Sequence, residues 1–129
     1  FNRGDMYRDF TYIDDVIKVI IKLMKKPASP NPSFNSMHPD PKTSWAPHRI
    51  FNIGNSNPIK LMDFIGILEK EIGIKANIEF KEMQAGDMKT TFADTYALEK
   101  WIGLKPSTEI NNGIKEFISW YCNYYEINR

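Results

Sequence analysis

The chain has 129 residues, 42% hydrophobic and 26% charged, the size and balance of one domain with a modest core. Seventeen basic and 16 acidic residues leave a formal charge of +1, which excludes a nucleic-acid stripe or a polybasic membrane patch as the basis of function. Its single cysteine, Cys122, excludes an internal disulfide, and no run approaches membrane-span length or reads as a signal peptide. A cytoplasmic location is the default expectation. The first residue is Phe1, and Phe1-Asn2-Arg3-Gly4-Asp5 reads as a strand tail and a turn, so the expectation is a fragment of a longer protein.

Residues 8–13 alternate polar with apolar or aromatic side chains and predict a short strand. Asp14-Asp15 then opens a helix over 16–24, with the two acids expected to cap its free amides and Pro27 to stop it. Its β-branched residues argue for burial against a sheet. Residues 27–48 hold six of the eight prolines and show no period, which predicts a long loop insert. Residues 49–53 read as a strand ended by the turn cluster Gly54-Asn55-Ser56-Asn57-Pro58. Leu61, Phe64, Ile65, Leu68 and Ile72 recur at helical spacing, so a helix over 61–72 is expected, with Gly73 closing it.

Residues 76–80 alternate again and predict a third strand. Residues 82–91 have no period. Asp94 or Thr95 is expected to cap a short helix that runs through Trp101 and ends at Gly103. Pro106-Ser107-Thr108 leads a last helix, where Ile110, Ile114, Phe117, Ile118, Tyr121 and Tyr125 make an apolar face and Cys122 is expected to be a buried, inert thiol. The whole predicts a mixed α/β or α+β arrangement in a single domain over 1–129, with 27–48 as an insert.

No two of the seven glycines are spaced as G-x-x-G or G-x-G-x-x-G, so no dinucleotide pyrophosphate motif is present. There is no P-loop, HExxH, zinc pattern or G-x-S-x-G. His38 and His48, the only histidines, have no metal-ligand spacing, and no metal is expected.

Three stretches carry a resemblance: Arg8-Asp9-Phe10-Thr11-Tyr12-Ile13-Asp14-Asp15, Phe51-Asn52-Ile53-Gly54-Asn55-Ser56, and Met83-Gln84-Ala85-Gly86-Asp87 followed by Thr91-Phe92-Ala93-Asp94. In this order they resemble the C-terminal segment of the extended short-chain dehydrogenase/reductase family, the NAD-dependent epimerases and dehydratases. Within it they look most like the UDP-glucuronate 4-epimerases, which include capsular-polysaccharide epimerases. The final helix is similar too, and the resemblance runs from about Gly4 to Tyr125.

The resemblance implies a substrate-binding part whose Rossmann half is absent, so that NAD and the catalytic Tyr, Lys and Ser/Thr would belong to that half. No catalytic residue is expected here. The parent enzyme is expected to be a homodimer, and the excised segment to expose apolar surface. The arginine matching Arg8 contacts the UDP diphosphate in the family. A guanidinium at a strand end can fork onto phosphate oxygens, although a surface pair with Asp9 or Asp5 also suits it. Asp87 matches a position lining the nucleotide pocket, where a carboxylate accepts from ribose hydroxyls, and an ordinary Asx turn is the alternative. Gln84 stands where UDP-galactose epimerases have Arg, and Phe10 either stacks near the uracil or sugar or belongs to the core. Tyr96-Ala97-Leu98-Glu99-Lys100 spells the family's Tyr-x-x-x-Lys, but downstream of its family place, and is read as coincidence with Leu98 facing the core. The functional alternative is a non-catalytic remnant or split-gene half acting as a weak nucleotide-sugar binder or interaction module.

Overall fold

A computed structural model describes residues 1–127. Its elements in order are β1 (Tyr7–Arg8), α1 (Ile13–Lys25), β2 (Ile59–Lys60), α2 (Leu61–Ile72), α3 (Tyr96–Ile102) and α4 (Ile110–Tyr124), a mixed α/β arrangement. The sheet is one antiparallel pair, with Tyr7 opposite Lys60 and Arg8 opposite Ile59. Tyr7 also bridges Thr90 in parallel. Asn2–Gly4 forms a 3-10 turn, where a strand tail and then a turn were expected.

The helices follow their sequence signals closely. α2 has the expected bounds, and Gly73 closes it at φ 80°, a left-handed conformation that costs glycine nothing. In α3 the Asp94 carboxylate accepts the Tyr96 N–H at 3.0 Å, and Gly103 ends the helix at φ 65°. Leu98 is fully buried, as its place on α3 predicted. α2 packs on α4 and α1 on α3. Buried apolar residues include Met6, Val19, Leu98, Pro106, Ile114 and Ile118. Cys122 is half-buried, more open than expected.

α1 departs from expectation in two ways. It packs on α3, not on a sheet, because two-residue strands offer no face to cover it. Ile13, Ile17, Ile20, Ile21 and Met24 consequently lie exposed. Second, neither acid caps the helix. The N-cap position is Tyr12, with no side-chain cap, and Asp14 and Asp15 stand inside the first turn. The Asp15 carboxylate reaches 92 residues along the chain to accept the Ser107 N–H at 3.0 Å, and also accepts the Thr108 N–H at 2.8 Å. It thereby ties α1 to the lead-in of α4.

This bond set has a pH signature. Burial pushes the Asp15 carboxyl up, but hydrogen bonds from Thr108, Ser107 and Lys18 outweigh it and hold the group at about 2. A pKa below the unfolded value adds stability above about pH 4, lost as pH falls toward 2, and the size is roughly 2 kcal/mol. Acid titration of the wild type and Asp15→Asn, followed by circular dichroism, is expected to show a stability difference at pH 7 that shrinks steadily below pH 4.

The strands expected at 49–53 and 76–80 do not form. A strand persists only where a neighbour takes its amides and carbonyls. At 49–53 the pairing is one bridge, Thr43 with Arg49, and the Ile50 N–H bond to Lys42. At 76–80 the residues are exposed, and the Ala76 N–H is held instead by the Glu69 carboxylate at 2.9 Å. The strand expected over 8–13 is confined to Tyr7–Arg8. The Pro-rich stretch 27–48 is a loop folded on itself, with the Asn31, Asn35 and Asp40 side chains accepting amides two residues on.

Candidate functional site

The site is built where the three motif stretches meet, and the residue that joins them is Asp9. Its Oδ2 accepts the Ser56 N–H and the Ala93 N–H, both at 3.0 Å, and its Oδ1 accepts the Asn57 N–H at 3.3 Å. The Asp9 N–H donates to Thr91 Oγ1 at 3.1 Å. One carboxylate thus holds the loops at 54–57 and 91–94 against the end of β1. Ser56 adds a second tie, its hydroxyl 2.7 Å from the Ala93 carbonyl and 2.9 Å from Thr95 Oγ1. Gly54 is required by the closeness of this meeting: a Cβ there would stand 2.3 Å from the Ala93 Cβ and 3.0 Å from Asp9 Oδ2.

Beside this junction the fold brings Arg8 and Asp87 together across 79 residues, with Arg8 Nη2 donating to Asp87 Oδ1 at 3.0 Å. Both side chains are about a quarter to a third exposed, at 25% and 31%, so the pair is reachable from solvent yet partly screened from it. Neither surface partner weighed for Arg8 takes it. Asp9 is committed to backbone amides, and Asp5 pairs with Lys89 at 2.6 Å. Arg8 Nη1 donates to the Tyr7 carbonyl at 2.9 Å and the Lys89 carbonyl at 3.3 Å, and Nη2 also contacts Met6 Sδ at 3.8 Å.

Asp87 sits in the irregular loop its sequence suggested, after Gly86 at φ 84°. Its Oδ1 also accepts the Met88 N–H at 2.8 Å, and its own N–H donates to the Gln84 carbonyl. Gln84 therefore shapes the loop through its backbone, while its side chain is exposed.

Phe10 turns to another environment. It stacks on Phe64 of α2, with centroids 4.0 Å apart and planes 7° from parallel. The pair lines an apolar cleft of about 310 Å³ together with Tyr12, Leu68, Ile114 and Phe117. No hydrogen bond or ring contact joins Phe10 to the Arg8–Asp87 pair among the described residues.

Other chemistry is thin. Tyr96 is exposed, with Lys100 Nζ 5.9 Å from its ring centre, on the face of α3 opposite buried Leu98. Among the described residues no cluster of His, Cys, Asp and Glu could hold a metal ion, and no helix is long and apolar enough to cross a membrane. The sheet is a two-residue antiparallel pair. The described residues hold no βαβ unit with a glycine turn.

Sequence reasoning weighed Asp9 only as a surface partner for Arg8 and Gly54 only as a turn residue. Both lay inside the motif stretches, but the partners of Asp9 are 47 and 84 residues away, beyond any local pattern.

Comparison with known proteins places this architecture. No protein-family model matches the chain. It is 42% identical over 126 residues to protein CapI of Staphylococcus aureus, covering 98% of this chain and 38% of that protein. It is 38% identical over 128 residues to UDP-glucuronate 4-epimerase 1 of Arabidopsis thaliana, covering 98% and 29% respectively. Among solved structures, the UDP-glucuronic acid 4-epimerase of Bacillus cereus in complex with UDP-glucuronic acid and NAD shares the fold. Its TM-score is 0.67 at 24% identity, over 94% of this chain and 34% of that one. The chain spans about a third of the length of the relatives it matches. Mixed α/β with its loops gathered on Asp9, and related over nearly all its length to such proteins, the chain is the counterpart of the C-terminal part of the UDP-glucuronate 4-epimerase and CapI proteins in the NAD-dependent epimerase/dehydratase family.

Proposed function

We propose that this chain is the substrate-binding segment of an NAD-dependent nucleotide-sugar epimerase of the UDP-glucuronate 4-epimerase kind, inactive by itself. The observation that carries the reading is the Arg8–Asp87 pair, a cation and a hydrogen-bond acceptor at one half-open site. A UDP-sugar needs both: the guanidinium for diphosphate oxygens and the carboxylate for ribose hydroxyls. Gln84 shapes the loop by accepting the Asp87 N–H on its carbonyl, while Phe10, stacked on Phe64, lines the separate apolar cleft.

In this reading NAD, and the groups that oxidise C4 of the sugar and return the hydride to its other face, belong to a Rossmann domain that packs on this chain. That domain would also carry the homodimer contact of the parent enzyme, in the cytoplasm. The surface supports such a companion. The accessible area is 9530 Å² for 15.0 kDa, against about 7,000 Å² for a compact monomer of that mass. An excess of roughly 2,500 Å² is more than one side of an ordinary interface buries. The isoleucine face of α1 is one apolar part of that surface.

Calorimetry of the chain with UDP-glucuronate and UDP, beside Arg8→Ala, tests the reading. Arg8→Ala is expected to weaken binding at least tenfold, about 1.4 kcal/mol, as loss of a charge-assisted phosphate contact requires. Equal binding by the two proteins would remove Arg8 from the site.

A further inference from the structure

Arg8 is almost fully engaged by its own chain. A guanidinium has five N–H donors. The two Nη atoms here serve the Tyr7 and Lys89 carbonyls, the Asp87 carboxylate and Met6 Sδ. Among the described residues only the Nε N–H has no acceptor. A diphosphate therefore cannot take a forked grip on Arg8 without displacing an acceptor, and the one on a side chain free to turn away is Asp87.

We propose that Asp87 makes this site select a nucleoside diphosphate over a bare diphosphate, by holding Arg8 until a ligand brings hydroxyl groups to replace it. The proposal rests on the reading of the Arg8 loop as a nucleotide-sugar site. If a bare diphosphate takes Nη2, Asp87 keeps one donor, the Met88 N–H at 2.8 Å. A partly screened carboxylate then stands short of hydrogen bonds and close to a second anion. Both effects oppose binding. A ribose brings two neighbouring hydroxyl donors. With it, each group that loses a partner gains another: Arg8 exchanges carboxylate for phosphate, and Asp87 exchanges guanidinium for hydroxyl. The same carboxylate thus penalises a ligand without the sugar and is neutral or favourable toward one that has it, so selectivity comes from the repulsive element as much as from the attractive one.

Asp87→Asn distinguishes this from simple ligand contact. The amide keeps the shape, loses the charge and binds Arg8 weakly. Inorganic pyrophosphate and UDP are titrated into the wild type, Arg8→Ala, Asp87→Asn and Asp5→Asn, with thermal melts of each to establish folding. Asp5→Asn is the control for removing a nearby negative charge, since Asp5 pairs with Lys89 and not with Arg8. Should Asp87→Asn fail to fold, Asp87→Ser takes its place. Asp87→Asn is expected to bind pyrophosphate about fivefold more tightly and UDP no better, so that the preference for UDP falls at least fivefold. Asp5→Asn is expected to leave that preference unchanged. If Asp87→Asn weakens both ligands alike, or Asp5→Asn erodes the preference equally, the selecting role is wrong while the nucleotide site stands. If the wild type does not bind UDP, or Arg8→Ala binds it as well, the site reading itself falls and the selecting role with it.

Discussion

Asp9→Ala is expected to lower the free energy of unfolding by about 3 to 5 kcal/mol. The reason is the number of donors released. The Ser56, Ala93 and Asn57 amides all end on this carboxylate. A hydrogen bond to a charged group contributes about 1.5 to 3 kcal/mol, and donors left without a partner add a desolvation cost. Folded domains have only about 5 to 15 kcal/mol in hand. Asp9→Asn keeps one acceptor oxygen and replaces the other with an amide that cannot accept, so a loss of roughly half that size is expected. Urea denaturation followed by circular dichroism measures both. A change below about 1 kcal/mol for Asp9→Ala would show that the loops at 54–57 and 91–94 are held by something else.

The second large effect belongs to Gly54. No left-handed backbone is involved, since φ is positive only at Gly4, Gly73, Gly86 and Gly103 among the glycines. What forbids a side chain is space. A Cβ 2.3 Å from the Ala93 Cβ forces the two loops apart, and the Asp9 bonds to both loops stretch with them. Overpacking of this kind costs about 1 to 3 kcal/mol, and the strained hydrogen bonds add to it. Gly54→Ala is therefore expected to destabilise by about 3 kcal/mol and to loosen UDP binding, because Arg8 is anchored next to Asp9. The diagnostic is rescue. With Ala93→Gly the nearest remaining backbone carbon lies at an ordinary 3.7 Å. The double variant is expected to recover most of the loss, a coupling that independent sites do not show. Absence of rescue would locate the strain at Asp9 Oδ2, 3.0 Å from the same Cβ.

The helices were legible because their instructions are local. Leu61, Phe64, Ile65, Leu68 and Ile72 set the face of α2, and Gly73 sets its end, all within 13 consecutive residues. The strands were misread for the complementary reason. The apolar run at 49–53 and the alternation at 76–80 record a preference for an extended chain, but a ladder also needs a neighbour, and the sequence names none. Asp15 shows the same gap at a single residue. An acid in the first turn of a helix has a sufficient local explanation in the dipole, which hid the bonds it makes to Ser107 and Thr108. Arg8 and Asp87 came through the resemblance, and their pairing came only with the fold. The resemblance also drew attention to Phe10, whose partner turned out to be Phe64.

The reach of the Asp9 carboxylate has a consequence in time. Its bonds close segments of 47 and 84 residues, and the Arg8–Asp87 contact closes one of 79. Each long closure sacrifices chain entropy before any contact repays it. The helices can form and dissolve on their own many times while these ends search for one another. The helical segments are therefore expected to form early and the proposed ligand site last. The loop around Asp87 and the end of β1 have local bonds of their own, but the Arg8–Asp87 pair is complete only when the 79-residue segment closes.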